Sequence, residues 1–563
     1  MKTAPRITLR LLFAATVFSL TGFPDAVISQ TTAFESEPHS LVREVRPVTD
    51  EVRRFLTERN ADVARVWVFF TDKGLFTQAE FDAAAAAVTI SDRALTRRAK
   101  VGRARVLMAD LPVNDAYVRA ATGHGGRLRR VSRWLNAASF DIPMTQLDVI
   151  ADHDFVQAIK PVAAFEARPD VDLPQPDVPD YAPAVPGDLD YGMALAQLEQ
   201  IKVPALHQRG LSGQGVTLAI FDTGYRKTHE VFAQHYVDGR VLAEYDFVFD
   251  DEETANEAED AYSQWNHGTI VWSVAGGWLD GHLYGPAYGA NFLLAKTEDV
   301  ASETPVEEDN WVAALEWAEG LGADVVSSSL AYPDWYTYAD LDGATAVITI
   351  AANTAAGLGI VVCNSMGNYG PDPGTLAPPA DAFDMLAIGA VDALGNIAYF
   401  SSRGPTYDGR TKPEVCARGV STSCATASGD ATYGTASGTS LSAPLVAGAA
   451  CLLIEAHPDY TPLMIRQAMM ATGSQADAPD NDYGRGIVNA ETAAACGDRG
   501  DTDFSGQIDI RDLVFLVGYI FEFTPVPTAL QSADANADEV VDINDIIYMV
   551  EYFFQGGSPP PSP

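Results

Sequence analysis

The chain has 563 residues, 47% of them hydrophobic, enough for about two to four domains and at least one large core. Its formal charge of −39 argues against a nucleic-acid partner, because phosphate binding needs a cationic surface. Five cysteines are too few for a disulfide scaffold. The charge is uneven: residues 51–166 carry 17 Lys/Arg against 14 Asp/Glu, and the rest carries 20 against 62.

Lys2, Arg6 and Arg10 precede a short apolar run, Leu11 to Phe18, and a small-residue exit at Val27-Ile28-Ser29. This predicts a secretory signal peptide over 1–29, hence export, because the run is too short to span a bilayer. No later run is long and apolar enough to span one.

Residues 61–166 predict a small α+β unit. Val66–Phe70 is a strand, Phe81–Lys100 a helix and Ala138–Ile142 a strand, followed by a helix at Leu147–Ala151 and a strand from Val156 to Val162. Residues 167–189 are rich in Pro and Asp and predict a solvated, protease-accessible linker.

From 191 to 495, strands alternate with helices, so a parallel sheet covered on both faces is expected. Sites in such sheets lie at the carboxyl ends of the strands. Asp222 ends one apolar strand, His267 begins a helix, and Ser440 sits where a small-residue run turns into an apolar helix. A nucleophilic serine needs a base, and the base needs an orienting carboxylate. Each residue alone reads as an ordinary boundary residue; together, in this order, they read as a catalytic set. Cys416 and Cys424 are close enough to pair in an oxidising compartment, whereas Cys363 and Cys451 lie in apolar runs suited to buried thiols.

Ala219-Ile220-Phe221-Asp222-Thr223-Gly224, His267-Gly268-Thr269 and Gly438-Thr439-Ser440 with Ala443-Pro444 resemble subtilisin-like serine endopeptidases over roughly 200–495. The resemblance implies a subtilisin-like three-layer α/β fold and peptide-bond hydrolysis. It makes Ser440 the nucleophile, His267 the general acid/base and Asp222 its orienting group. Asn368, rather than Asn364, matches the oxyanion asparagine. Ser329-Leu330-Ala331 and Ser365-Met366-Gly367 match the walls that hold an extended substrate. Ala331 replaces a usual glycine, and Leu445 a common histidine. Residues 61–166, with Arg133 to Phe140 and Ile159 to Val162, resemble the family's inhibitory prosegments, which implies self-cleavage between about 163 and 195. The implied partners are protein or peptide substrates and the chain's own prosegment. A catalytically silent calcium-binding assembly protein keeping this fold is the alternative. A lipase or esterase needs a Gly-x-Ser-x-Gly elbow and the order Ser, Asp, His, and the chain has neither at Ser440.

Residues 501–512 carry Asp501, Asp503, Ser505, Asp509 and Asp512 at calcium-loop positions 1, 3, 5, 9 and 12, with Gly506 at 6 and Gln507 at 7. An apolar helix follows. The pattern returns 33 residues later with Asp534, Asn536, Asp538, Val540, Asp542 and Asp545, but with Glu539 in place of the glycine. Residues 498–556 resemble a dockerin module, a small all-α calcium-loop tail. This implies structural calcium and a cohesin-like partner.

Overall fold

The structure is a computed structural model that describes residues 48–59, 62–163, 189–300, 308–521, 524–538 and 540–561. The expected signal peptide and all but the last residue of the expected linker lie outside these, as does Glu539.

The N-terminal unit is a four-stranded antiparallel sheet in the order Arg127–Ser132, Ala137–Pro143, Val63–Phe70, Val156–Pro161. Helix Asp50–Glu58 lies upstream of the expected boundary at 61 yet belongs to this unit, with Val52 and Leu56 in the same core as Val66 and Phe140. The single helix expected over 81–100 is two, Gln78–Ala85 and Asp92–Lys100. A β-branched stretch, Val88-Thr89-Ile90, precedes Ser91, whose hydroxyl accepts from the Ala94 N–H at 3.2 Å and caps a new helix.

Strand Arg127–Ser132 was not anticipated, because three arginines in six residues hide its alternation. Arg129 and Arg130 reach acids of the large domain, Asp309 and Asp250, while Arg127 pairs with Asp141 on the neighbouring strand. Arg129 forks onto Asp309 at 2.8 and 3.2 Å, and Arg130 donates to Asn310 at 2.9 Å. Burial would raise the Asp309 carboxyl, but Arg129 holds it below the usual range. Arg98 binds both Asp110 and Glu319, and Arg97 also binds Glu319. Ser132 Oγ donates to Glu316 at 2.6 Å. The basic unit thus seats on helix Glu308–Leu321 of the acidic domain.

The large domain holds a seven-stranded parallel sheet. From edge to edge the strands are Val415–Arg418, Leu386–Val391, Val361–Ser365, Val325–Ser328, Thr217–Asp222, Asn291–Lys296 and Val241–Asp246. Both edge strands escaped the sequence reading. One has only four residues, and the other is half exposed along its length. Helix Thr439–Ala456 runs through the core against helix Asn266–Gly276. Against the expectation that no later run is long and apolar enough to span a bilayer, this helix is so by length and composition, with mean hydropathy 1.5, but 89% of it is buried in the core.

All five cysteines are buried and none forms a disulfide, so the pairing considered for Cys416 and Cys424 is not formed. Cys416 lies in the edge strand with its thiol toward the Tyr483 carbonyl, while the Cys424 thiol faces the Gly434 carbonyl. The tail forms helices Ile510–Ile520 and Ile543–Gln555, which share a small core of Leu513, Leu516 and Met549.

Candidate active site

Asp222 closes its strand fully buried, and its Oδ1 accepts from His267 Nδ1 at 2.7 Å and from the Thr223 N–H at 2.8 Å. A carboxylate acceptor requires the proton on Nδ1, which leaves Nε2 of a neutral imidazole as the basic nitrogen. His267 is the second residue of its helix and its side chain is 25% exposed.

Two glycines allow this approach. A Cβ on Gly268 would stand 2.2 Å from the Gly224 carbonyl oxygen and 3.1 Å from Asp222 Cβ. Gly224 has φ +125°, and a Cβ there would stand 2.9 Å from the Thr254 carbonyl oxygen. The glycines beside Asp222 and His267 are therefore steric requirements of the pairing. Gln264, which the sequence reading missed, supports it: its buried Nε2 donates to the Thr223 carbonyl at 2.7 Å and to the Glu298 carbonyl at 2.5 Å.

Ser440 is the second residue of the buried helix and is 7% exposed. Pro444, four residues on, cannot donate to the Ser440 carbonyl as a helix interior requires. Ser329 Oγ donates to that carbonyl at 2.9 Å instead. One wall residue thus repairs the bond that the proline removes.

Asn368 Oδ1 accepts from the Thr439 N–H and from Thr439 Oγ1, both at 2.9 Å. This satisfies an orphan donor of the helix start and leaves the Asn368 Nδ2 amino group as a donor. Asn364 is fully buried and donates to the Leu330 and Ser365 carbonyls at 3.0 and 2.8 Å, a structural role. Ser329, Leu330, Ala331, Ser365 and Gly367 lie past or at the carboxyl ends of adjacent strands. Met366 departs from expectation: its side chain packs in a core cluster with Leu341, Leu376, Ala380 and Ala387, its N–H donates to the Ile388 carbonyl and its carbonyl accepts from the Ala377 N–H.

In the tail, carboxylate oxygens of Asp501, Asp503 and Asp512 lie within 4.8 Å of one another. Asp501 and Asp512 are fully buried, and burial pushes their carboxyls up to about 6 and about 7. Clustered hard oxygens without an ion pair among the described residues fit a calcium ion. Ser505 Oγ donates to the Gln507 carbonyl at 3.2 Å at the loop's turn. Asp509 does not join the cluster: it caps the helix and pairs with Arg511.

The second loop is less complete. Arg499 holds Asp534, Asp542 caps its helix, and Val540 is 53% exposed. Asp545 is buried and accepts from the Asn536 and Asp542 N–H groups, while Asp538 receives an amide donor from Asn536. A guanidinium on the first ligand position competes with a cation there. A separate acidic group, Asp246, Asp251 and Glu257, has its own counter-charge in Lys296, 2.7 Å from Asp246.

Comparison with known proteins agrees with this geometry. The pattern of the Subtilase family matches residues 213–486, and that of the Peptidase S8 propeptide domain, Bacteroidota, matches residues 65–172. Subtilisin E of Bacillus subtilis (strain 168) is 30% identical over 375 residues, covering 66% of this chain and 84% of that one. Serine protease AprX of the same organism is 30% identical over 313 residues, covering 50% and 67%. The crystal structure of fervidolysin from Fervidobacterium pennivorans, a keratinolytic enzyme related to subtilisin, shares the fold. Its TM-score is 0.56 at 23% identity, over 77% of this chain and 60% of that one.

Proposed function

Because the chain belongs to the subtilase family and is a serine endopeptidase with an N-terminal propeptide domain, we propose that Asp222, His267 and Ser440 are its catalytic triad. Ser440 Oγ attacks the scissile carbonyl carbon while His267 Nε2 takes its proton. His267 then protonates the leaving amine, and water hydrolyses the acyl-enzyme by the same route. The oxyanion is held by the Ser440 N–H, which as the second of its helix has no intrahelical acceptor, and by Asn368 Nδ2. The observation that carries this reading is the 2.7 Å bond from His267 Nδ1 to the fully buried Asp222 carboxylate.

A fluorophosphonate probe is expected to label the mature enzyme and to fail on Ser440→Ala. No labelling of the mature wild type favours the silent calcium-binding protein instead. The chain is proposed to be exported, to cut itself between about 163 and 195, and to carry calcium in the tail with a cohesin-like partner. Processing of purified Ser440→Ala in that stretch excludes self-cleavage.

Release of the propeptide is expected to depend on pH through Glu308. This carboxylate is fully buried, accepts from Trp67 Nε1 at 3.0 Å and Tyr336 OH at 2.7 Å, and has no cationic partner among the described residues. Burial pushes it up to about 7, and neighbouring Asp309 adds to the rise. When the propeptide leaves, Trp67 leaves too and the carboxyl returns toward its ordinary value. A pKa raised in the complex means proton uptake on binding. The extra affinity is full below the free value and is lost as pH rises through about 7. Inhibition by the propeptide should therefore weaken roughly tenfold to a hundredfold from about pH 5 to 8. In Glu308→Gln that slope should flatten; an unchanged slope removes Glu308 as its source.

A further inference from the structure

The first tail loop is built into the core of the large domain. Only Gly497, Asp498, Arg499 and Gly500 separate Cys496, in that core, from Asp501. Phe504, at loop position 4, is 1% exposed and belongs to the same buried cluster as Tyr460, Ala493 and Ala529. Its ring centroid lies 5.9 Å from that of Tyr460. Gly506 fits so closely under helix Ala490–Ala493 that a Cβ there would stand 2.4 Å from the Thr492 carbonyl oxygen. Asp501 joins the two sides, accepting from the Gly497 N–H at 2.7 Å and the Gly506 N–H at 2.9 Å.

The repeat isolates the meaning of Phe504. Its counterpart in the second loop is Ala537, with φ 62° against 61°, and Ala537 is exposed. The same left-handed turn, unfavourable for any non-glycine residue, carries a buried aromatic in one loop and a solvated methyl in the other. Folding of the tail module does not require an aromatic there; seating on the large domain uses one.

We propose that calcium in the first loop clamps the large domain. By holding Asp501, Asp503 and Asp512 together it keeps Phe504 against Tyr460 and Gly506 against Thr492, so that calcium binding at the tail stabilises the peptidase domain itself. This rests on the calcium reading of the loop given above.

Tryptophan fluorescence tests it, because all eight tryptophans lie at or before position 335 and none is in the tail. In full-length Ser440→Ala protein, calcium at about a hundred times its dissociation constant should raise the tryptophan melting temperature by roughly 5 °C or more over chelator. Phe504→Ala should still bind calcium in a calorimetric titration but lose most of that shift. Asp503→Asn leaves the packing intact and should melt in calcium as the parent does in chelator. Calcium binding to the loop without a tryptophan shift overturns the clamp alone, and so does a shift that persists in Asp503→Asn. No calcium binding overturns the loop reading and the clamp with it.

Discussion

An alanine at His267 is expected to lower kcat by a factor on the order of 10⁴–10⁶, and adding Ser440→Ala should cost almost nothing further. That size of loss is the one known for subtilisins. The non-additivity is the informative part. In the proposed mechanism the buried Asp222 holds Nδ1 and His267 has one task, the Ser440 proton, so either deletion removes the same step. Losses that multiply in the double variant would mean that the two residues act separately. Asn368→Ala should behave differently, costing roughly 10²–10³ in kcat with KM little changed, because in the proposed mechanism its amino group meets charge only in the transition state. Steady-state kinetics on one peptide substrate measure the four variants against the wild type.

The second large effect is expected at Glu319, far from the chemistry. Its side chain is 1% exposed and holds Arg97 and Arg98, themselves 2% and 0% exposed. Burial pushes the Arg97 guanidinium below its ordinary value despite Glu319, so this cation has little to spare. Glu319→Ala leaves two guanidinium groups buried without that carboxylate, and breaking such a pair costs about 3–5 kcal/mol. The propeptide's inhibition constant should therefore rise by at least about a hundredfold. Activity of the mature enzyme on a short peptide should hold, since the two arginines leave with the propeptide. A rise below tenfold would show that the apolar contacts around Trp67 and Val162 carry the interface instead.

The two effects divide along a physical line. Asp222, His267 and Ser440 were legible as residues because each sits at an element boundary whose neighbours are constrained locally. Apolar runs announce the strand and the helices, and the flanking glycines answer to Cβ clashes at 2.2 and 2.9 Å. The acidic cluster of the first tail loop was legible for the same reason, since its acids fall at fixed intervals within twelve residues.

What the sequence did not disclose depends on partners brought together from afar. Arg127–Ser132 looks like a polar loop until helix Glu308–Leu321 supplies its acids. Asp509 has the right spacing for the calcium loop, yet Arg511 and the helix start claim it. Asn368 could be preferred over Asn364 only by resemblance; that Asn368 accepts from the Thr439 N–H at the helix start appears only in the fold. Residue types and short-range spacing determined the class of chemistry and where its groups stand in the chain. Only the tertiary structure decided that Ser329 mends the backbone at Ser440 across 111 residues, and that Phe504 belongs to the core of another domain. Spacing along a chain encodes geometry within an element, whereas a hydrogen bond or a buried ring between elements exists only once both have been placed.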